Sequence, residues 1–251
     1  MNQEDKLINY YLPPDEGFIL ESIVATTYEI DFEFLEEELL AASLGVRSPV
    51  SRWKGFRSEL ERKLQAADVT IFYDPGGCDK LTRMSPRIDI IPVISRKLHA
   101  KISIILWIKP AIKARKSPEY FIRLIIGSAN LTRKGFRENY ECAVAIDYSN
   151  KQSGPGWVLN KAIEIIRELA KGSTSTLLDR QLMAVESRLR HMPKQRESKM
   201  GPVALVTADQ VLPKLKLAWN KISRKAPERM IIISPFWPVG DRAAHVMADL
   251  A

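Results

Sequence analysis

Two short motifs contain the side chains best suited to chemistry in this sequence. His99 and Lys101 are two residues apart, and Gly127, Ser128 and Asn130 form a Gly-Ser-x-Asn motif further along the chain. An imidazole with a pKa of about 6.5 can attack as a nucleophile or transfer a proton near neutral pH. Lysine, asparagine and backbone N–H groups can hold phosphate oxygens without a metal. The two motifs together therefore indicate a site for a phosphate group.

The residues around His99 show the two-residue period of a β-strand. Between residues 97 and 108, polar side chains alternate with apolar ones, and the polar set is Lys97, His99, Lys101 and Ser103. Because alternate side chains of a strand point to the same side, we expect His99 and Lys101 to lie on one face, roughly 6 to 7 Å apart. The other face is apolar, so the pattern predicts that both groups point away from the buried side of the sheet.

A turn that could cradle an anion is expected after the next apolar run. Residues 121–126 form that run, and Gly127 breaks it before Ser128, Asn130 and Thr132. Small polar residues of this kind are typical of a chain that leaves a strand and enters a helix. Such a turn presents unpaired backbone N–H groups, and the helix dipole adds to their attraction for negative charge. We therefore expect a bound phosphate beside Ser128 and Asn130.

A carboxylate opens the third candidate strand of this region. Residues 141–146 are mostly apolar, and Glu141 is the first of them. If this strand pairs with the strand that carries His99, the Glu141 carboxylate could accept a hydrogen bond from one imidazole nitrogen. The other nitrogen would then be free to attack or to donate a proton.

This order of motifs resembles the active-site signature of the phospholipase D superfamily. That signature combines His-x-Lys, then Gly-Ser-x-Asn, then a glutamate at the start of the next apolar strand, and residues 18–147 carry the resemblance. In the family, two copies of the signature meet across a twofold or pseudo-twofold axis. One histidine attacks phosphorus and forms a phosphohistidine, while the other protonates the leaving oxygen. The resemblance implies an α/β fold with a mixed β-sheet flanked by helices on both faces.

The resemblance also implies a role for each residue of the motifs. His99 would be the nucleophile or the general acid. Lys101, Ser128 and Asn130 would hold the non-bridging phosphate oxygens, and Glu141 would orient a histidine. Cleavage of a phosphodiester mostly needs positioning and the neutralisation of charge on oxygen, which such side chains provide. We therefore expect no metal and no cofactor.

One position departs from the common form of the signature. That form has an aspartate five residues after the lysine, where this chain has Leu106. The tyrosyl-DNA phosphodiesterases are similar in lacking this acid and in the long segment between their histidine and their Ser-x-Asn element. The Ser-Ala-Asn-Leu-Thr sequence and its basic surroundings also look like nucleases of bacterial restriction and repair systems. These features favour a nucleic acid, DNA more than RNA, over a lipid as substrate.

A second imidazole is needed, because one histidine cannot be a neutral nucleophile and a protonated acid at once. The chain has three histidines, and neither His191 nor His245 is followed by a lysine two residues later. Two copies of the chain could complete the site about a twofold axis as a homodimer. Alternatively, residues 202–251 begin a second phospholipase D-like half in the same chain, which is truncated. We favour this second explanation because Ile23–Tyr28 and Ile231–Phe236 form a weak internal repeat.

Basic charge is concentrated near the two motifs. The formal net charge is +8, but residues 1–45 hold 11 acidic residues and 1 basic residue, a net −10 that leaves +18 for the remainder. Residues 96–137 hold 11 basic residues and one acidic residue. A nucleic acid would explain this, because neutralised phosphates release counterions; a solvated basic face is the alternative. The residues expected to contact nucleic acid are Lys109, Lys113, Arg115, Lys116, Arg133, Lys134 and Arg137.

The composition predicts where the protein works. No apolar run approaches the roughly 20 residues that span a bilayer, and the acidic N-terminus does not suit a signal peptide. We therefore expect a cytoplasmic protein with no membrane partner. Cys78 and Cys142 are too few for a disulfide framework and lack the spacing of a metal site, which favours reduced thiols.

Alternating strands and helices predict an α/β unit in the first part of the chain. Its expected elements are a strand at 18–26, a helix at 31–43, a helix at 58–66 and a strand at 69–73. Two more helices are expected after a loop rich in Gly, Pro and Ser, at 157–171 and 177–191. The predicted organisation is a catalytic half at 1–148, a helical segment and linker at 149–201, and the truncated second half at 202–251.

Taken together, these features predict a metal-independent phosphodiesterase or nuclease that cleaves nucleic acid through a phosphohistidine. Two other functions compete with this one. A lipid phosphodiesterase would need an apolar approach to His99, and a non-catalytic nucleic-acid-binding half would keep the basic surface without using His99. A His99→Ala substitution separates the alternatives, because in a nuclease it abolishes cleavage and spares DNA binding.

Overall fold

A six-stranded mixed β-sheet lies at the centre of the described part of the chain. The structure is a computed structural model that describes residues 6–78, 85–94, 97–111, 117–151, 154–172 and 175–193. The strands are β1 (Ile19–Thr27), β2 (Asp68–Tyr73), β3 (Ile88–Pro92), β4 (Ile102–Lys109), β5 (Glu119–Gly127) and β6 (Ala143–Ser149). Their order across the sheet is β3-β2-β1-β4-β5-β6. The predicted α/β class is confirmed.

Strand direction brings several chain segments to one edge of this sheet. β1, β2 and β3 are parallel, whereas β4 is antiparallel to β1, β5 to β4 and β6 to β5. Consequently β1, β2, β3 and β5 end at the same edge at which β4 and β6 begin. We call this the site edge, because the residues before β4, after β5 and before β6 include both motifs.

Helices flank the sheet. Helix α1 runs through three consecutive segments, Phe32–Phe34, Leu35–Leu40 and Ala41–Ser43, of which the middle one is π-helical. The other helices are α2 (Trp53–Leu64), α3 (Arg133–Arg137), α4 (Gly156–Leu169) and α5 (Thr176–Arg190), with short 3₁₀ helices at Leu7–Tyr11 and Pro75–Gly77. Within the described ranges, no helix has the length and apolar character needed to cross a bilayer.

The two sides of the sheet are covered by different helices. On one side, buried residues of α1 and α2 such as Leu39 and Leu60 share a core with Ile23 and Ile105 of the central strands. On the other side, the Thr70 hydroxyl donates to the Gln181 side chain of α5 at 2.7 Å. Side chains that alternate along β1 and β2 therefore meet helices on both faces.

Gln181 fixes α5 to the middle of the sheet. This side chain is 2 % exposed. Its amide nitrogen donates to the carbonyl of Asp68 at 2.8 Å and to that of Ile23 at 3.3 Å. A buried amide needs such partners, because an unsatisfied one costs about 1–3 kcal/mol. The predicted helices after residue 156 thus pack on the same sheet as the strands that precede them.

The strand predicted at residues 97–108 is shorter than its pattern suggests. β4 begins at Ile102, so His99 and Lys101 lie in an irregular segment before it. Ser103 was predicted to lie on the exposed face of this strand, and this prediction is wrong. Its side chain is 4 % exposed and is hydrogen-bonded to the Tyr11 hydroxyl at 2.8 Å. Burial raises the pKa of Tyr11 to about 12, so this contact is between two neutral hydroxyls. The 3₁₀ helix that carries Tyr11 covers this part of β4.

Several predicted features lie outside the described residues. These are the second half at 202–251, the last residues (194–201) of the helical segment and linker, and the basic residues Lys113, Arg115 and Lys116. The described residues all belong to Met1–Glu197, the first of two units into which the chain divides.

Candidate active site

The segment that carries His99 is held by a buried threonine of the neighbouring strand. Thr26 Oγ1 donates to the Ala100 carbonyl at 2.9 Å and accepts from the Ile102 amide at 3.0 Å. Thr26 is 1 % exposed, and its contact with the Ile102 amide is buried, while the contact with the Ala100 carbonyl is partly buried. The backbone ladder between β1 and β4 ends at the pair Ala25 and Ser103, and the hydroxyl replaces it there. This one side chain therefore sets where the chain leaves the sheet beside His99.

A buried carboxylate anchors the other side of His99. Asp74 follows β2, is 7 % exposed, and accepts from the amides of Gly76 at 2.9 Å and Leu98 at 2.8 Å. The Leu98 side chain is itself buried. His99 is thus fixed between two anchored neighbours while its own side chain stays exposed.

The imidazole lies between an aromatic ring and an ammonium group. The rings of Tyr28 and His99 stack, with centroids 5.0 Å apart and planes 21° from parallel. Lys101 Nζ lies 3.1 Å from His99 Nδ1 and donates to the His99 carbonyl at 3.0 Å. An ammonium only donates, so Nδ1 is the acceptor and the neutral ring carries its proton on Nε2. The two groups are therefore in direct contact, closer than the spacing predicted from a regular strand.

Both groups titrate lower than they would in water. Contacts with the protein remove water from the His99 ring, and this desolvation, with the charges of Lys101 and Lys97, lowers the pKa of His99 despite the carboxylate of Asp74. Burial also lowers the pKa of Lys101, and the carboxylate of Glu141 is among the groups that partly offset this. The neutral imidazole is consequently favoured near pH 7, as a nucleophile or general base requires.

Ser128 and Glu141 meet across the ends of β5 and β6. The Ser128 hydroxyl donates to the Glu141 carboxylate in a short hydrogen bond and accepts from the Cys142 amide at 3.0 Å. Asn139 Nδ2 donates to the other Glu141 oxygen at 3.1 Å. Position 127 requires glycine, because a Cβ at this residue would lie 2.8 Å from the Cys142 carbonyl oxygen. These contacts fix the carboxylate at the site edge.

The strand pairing that would let Glu141 reach the imidazole is not found in the described sheet. β6 pairs with β5 and not with the strand that follows His99, and it begins at Ala143, two residues after Glu141. The carboxylate acts on Lys101 through space rather than through a shared strand pair. The structure therefore connects Glu141 to the site through Ser128 and Lys101.

Asn130 is joined to the loop after β1. Its Oδ1 accepts from the Glu29 amide at 3.3 Å, and its Nδ2 donates to the Glu29 carboxylate at 3.4 Å. The next residue, Leu131, donates its amide to the Thr27 hydroxyl at 3.0 Å and forms an isolated bridge with Ile30. Asn130 therefore lies at the same edge as Lys101, on which the Glu29 carboxylate also acts.

The turn after β5 is less open than the sequence suggests. Four of its amides already have protein acceptors, those of Ser128, Leu131, Thr132 and Gly135. Gly135 lies so close to Asn130 that a Cβ would be 2.6 Å from the Asn130 carbonyl. Fewer backbone N–H groups of this turn can therefore hold a phosphate than the sequence suggests. Side chains of Lys101 and Asn130 are the better candidates for holding phosphate oxygens.

Two of the predicted nucleic-acid contacts are neutralised within the chain. Arg133 Nε donates to one carboxylate oxygen of Glu38 at 3.0 Å, and Arg137 Nε donates to the other at 2.9 Å. Glu33 lies 4.0 Å from the Arg133 guanidinium. The acidic helix α1 thus pairs with the basic helix α3. Of the three basic residues of α3, only Lys134 is exposed and makes no described ion pair.

Lys109 lies far from the site edge. It is the last residue of β4, so the length of the strand separates it from Ile102 by about 24 Å. Its ammonium lies 5.6 Å from the centre of the Phe18 ring. Lys109 therefore does not contribute to the basic charge near His99, because it is at the opposite edge of the sheet.

No protein-family model and no curated protein matches this chain. A function for the site edge must therefore follow from its own geometry and chemistry.

Four residues of the site edge were not predicted from the sequence. They are Thr26, Tyr28, Glu29 and Asp74. A local signal exists for one of them, since Asp74 precedes a Pro-Gly-Gly turn of the kind that an aspartate side chain caps. The other three lie near the end of β1 or just after it. Only the folded structure shows that Thr26 and Tyr28 contact the His99 segment and that Glu29 contacts Asn130.

Proposed function

We propose that this protein is a metal-independent phosphodiesterase of the phospholipase D type that cleaves nucleic acid, DNA more than RNA, through a phosphohistidine. The observation that carries the proposal is the direct contact of His99 with Lys101 at an edge that also holds Asn130 and the Ser128–Glu141 pair. A nucleophile, a cation and an amide donor are what transfer of a phosphoryl group needs.

The contact between His99 and Lys101 gives the resting state of the site. Lys101 shares the lone pair of Nδ1, and a phosphate oxygen competes with Nδ1 for the same ammonium. When the phosphodiester binds, Lys101 turns to the phosphate and the imidazole regains a free lone pair. The lowered pKa of His99 keeps this lone pair available at neutral pH.

The reaction has two steps. An imidazole nitrogen of His99 attacks phosphorus, the bond from phosphorus to the leaving oxygen breaks, and a second imidazole, in its protonated form, gives that oxygen a proton. Water then attacks the phosphohistidine and loses its proton to the second imidazole, while the bond from phosphorus to His99 breaks. Lys101 and Asn130 stabilise the charge that develops on the non-bridging oxygens.

The second imidazole belongs to a second copy of the site, from further sequence of the same protein or from a dimer partner. Light scattering separates these sources, since a dimer has twice the 28.5 kDa mass of this chain. For a dimer, mixing wild-type subunits with an excess of His99→Ala subunits should lower the activity below the wild-type share, because each mixed dimer has only one of the two imidazoles that the shared site needs.

The central test is trapping of the intermediate. A phosphorus-labelled DNA substrate should leave label on the protein that survives alkali and is lost in acid, as a phosphoramidate is. His99→Ala should lose the label and cleavage, and should keep DNA binding. Cleavage in EDTA at the rate of the untreated protein is expected. Normal turnover by His99→Ala would reject the mechanism.

A further inference from the structure

Glu29 lies in the candidate site although its charge is opposite to that of the expected ligand. It makes two contacts with the Asn130 amide, one through its backbone N–H and one through its carboxylate. These contacts leave the amide only one orientation, with the oxygen toward the β1 backbone and the NH₂ group toward the carboxylate. The other N–H of that group makes no described hydrogen bond.

The backbone around Glu29 is fixed by neighbours on both sides. The Thr27 hydroxyl donates to the Glu29 carbonyl at 2.6 Å and accepts from the Leu131 amide at 3.0 Å. The Asp31 amide donates to the Leu131 carbonyl at 2.9 Å, and its side chain caps helix α1 through the Phe34 amide. The loop after β1 and the turn after β5 therefore form one rigid connection, and Glu29 is part of it.

The charges that act on His99 and Lys101 do not favour a strongly negative ligand. Among the residues that the structure describes, these charges belong to the cations Lys97 and Lys101 and to the carboxylates Asp74, Glu29 and Glu141. With a neutral imidazole, this set has an excess of one negative charge. A phosphodiester carries one negative charge, whereas a phosphate monoester carries nearly two near neutral pH. The second charge of a monoester would face the carboxylates without a matching cation.

We propose that Glu29 is a positioning and specificity-determining residue, which orients Asn130 toward a phosphodiester and excludes phosphate monoesters by its negative charge. This inference rests on the proposed function, because it assigns the phosphate to Asn130 and Lys101. It predicts that the two parts of the role separate between two variants. Glu29→Gln keeps an acceptor for the Asn130 amide and removes the charge, whereas Glu29→Ala removes both.

Binding of two probes of nearly equal size tests the charge. Dimethyl phosphate is a monoanion and methyl phosphate is close to a dianion, and each is titrated by NMR while the side-chain amide of Asn130 is observed. Glu29→Gln should tighten methyl phosphate about tenfold, as expected for one fewer charge at short range, and dimethyl phosphate distinctly less. The matched control is Glu33→Gln, whose carboxylate is 67 % exposed on α1 beside Arg133 and should leave the ratio of the two affinities unchanged.

Turnover tests the positioning. With bis(p-nitrophenyl) phosphate, Glu29→Gln should keep kcat within about twofold and Glu29→Ala should lower it about tenfold with little change in KM, because an unfixed amide contributes mainly in the transition state. An unchanged affinity ratio in Glu29→Gln, or no binding of either probe at the Asn130 amide, overturns the inference. If the ratio shifts but the wild-type protein cleaves no diester, the proposed hydrolysis fails and the charge role of Glu29 stands. If the protein cleaves diesters and the ratio does not shift, only Glu29 is wrongly assigned.

Discussion

Replacing Thr26 with valine should weaken the protein and the candidate site together. The hydroxyl serves the Ala100 carbonyl and the Ile102 amide, and it is 1 % exposed. Valine has nearly the same shape, so the change removes two hydrogen bonds without opening a cavity. The Ile102 amide is left buried without a partner, which costs about 1–3 kcal/mol, and the partly buried Ala100 carbonyl loses a hydrogen bond worth about 0.5–1.5 kcal/mol. The loss in the free energy of unfolding should therefore be about 1.5–4.5 kcal/mol. This is a large part of the stability of an ordinary domain.

Urea denaturation measures this loss, and Thr70→Val is the matched control. Thr70 is also a buried threonine of a central strand, but its hydroxyl makes one hydrogen bond, to Gln181, and lies away from the site edge. Its replacement should cost about 1–3 kcal/mol and leave kcat/KM on a diester substrate unchanged. Thr26→Val should lower kcat/KM at least tenfold, because the segment that carries His99 loses its anchor.

Hydrogen exchange gives a local readout of the same change. The Ile102 amide is protected by the Thr26 hydroxyl, so it should exchange much faster in Thr26→Val and at the wild-type rate in Thr70→Val. A loss of less than about 1 kcal/mol in Thr26→Val, or equal loss of activity in both variants, would show that this hydroxyl does not hold the site.

Three further perturbations follow from the structure. Lys101→Met removes a cation that lowers the pKa of His99, so NMR titration should show a higher imidazole pKa in this variant. In the wild type, the folded state favours the neutral ring, so the free energy of unfolding should fall as the pH drops below about 6.5 through the lowered pKa of His99 in the folded state. Gly77→Ala places a Cβ against the Tyr28 carbonyl of the loop after β1 and should lower Tm by several degrees. Gly55→Ala, which has open space in helix α2, should raise the free energy of unfolding by about 0.5–1 kcal/mol. Glu38→Gln removes the carboxylate that pairs with Arg133 and Arg137 of α3, so DNA binding should become tighter and depend more steeply on salt. The cost in the free energy of unfolding should be below about 1 kcal/mol. A salt dependence equal to that of the wild type would argue against a role for α3 in binding.

The elements with a strong hydrophobic period were predictable. The strand at Ile19–Thr27 and the helices at Gly156–Leu169 and Thr176–Arg190 lie within one or two residues of the expected positions. Each of them presents a continuous apolar face to the core, and the spacing of apolar residues in the segment itself identifies this face. The strand at Ile88–Pro92 was not predicted, because its five residues include an aspartate and a proline and show no clear alternation.

The contacts that build the site edge were less predictable. The alternation before Ile102 predicts a strand, but the backbone at Leu98 and Ala100 bonds to side chains of Asp74 and Thr26. A bond to a neighbouring strand is found only from Lys101 onward, where the carbonyl accepts from the Gly127 amide of β5 at 3.1 Å. The alternation of polar and apolar residues shows which side chains lie on the same face, but it does not show which groups hydrogen-bond to the backbone. The same limit applies to Arg133, whose pairing with Glu38 joins residues 95 positions apart. The residue types of the site came from the motifs, and their partners came from the fold.

The place of β1 in the middle of the sheet has a consequence for the newly made chain. β1 is synthesised first, yet the Thr27 hydroxyl bonds to a residue 104 positions later and the Ile23 carbonyl to one 158 positions later. Closing such long loops is slow and is completed only when both ends exist. A nascent polypeptide that has not yet reached Leu131 therefore cannot bring its chemical groups together, and whatever reaction they perform begins only after the turn that follows β5 has left the ribosome.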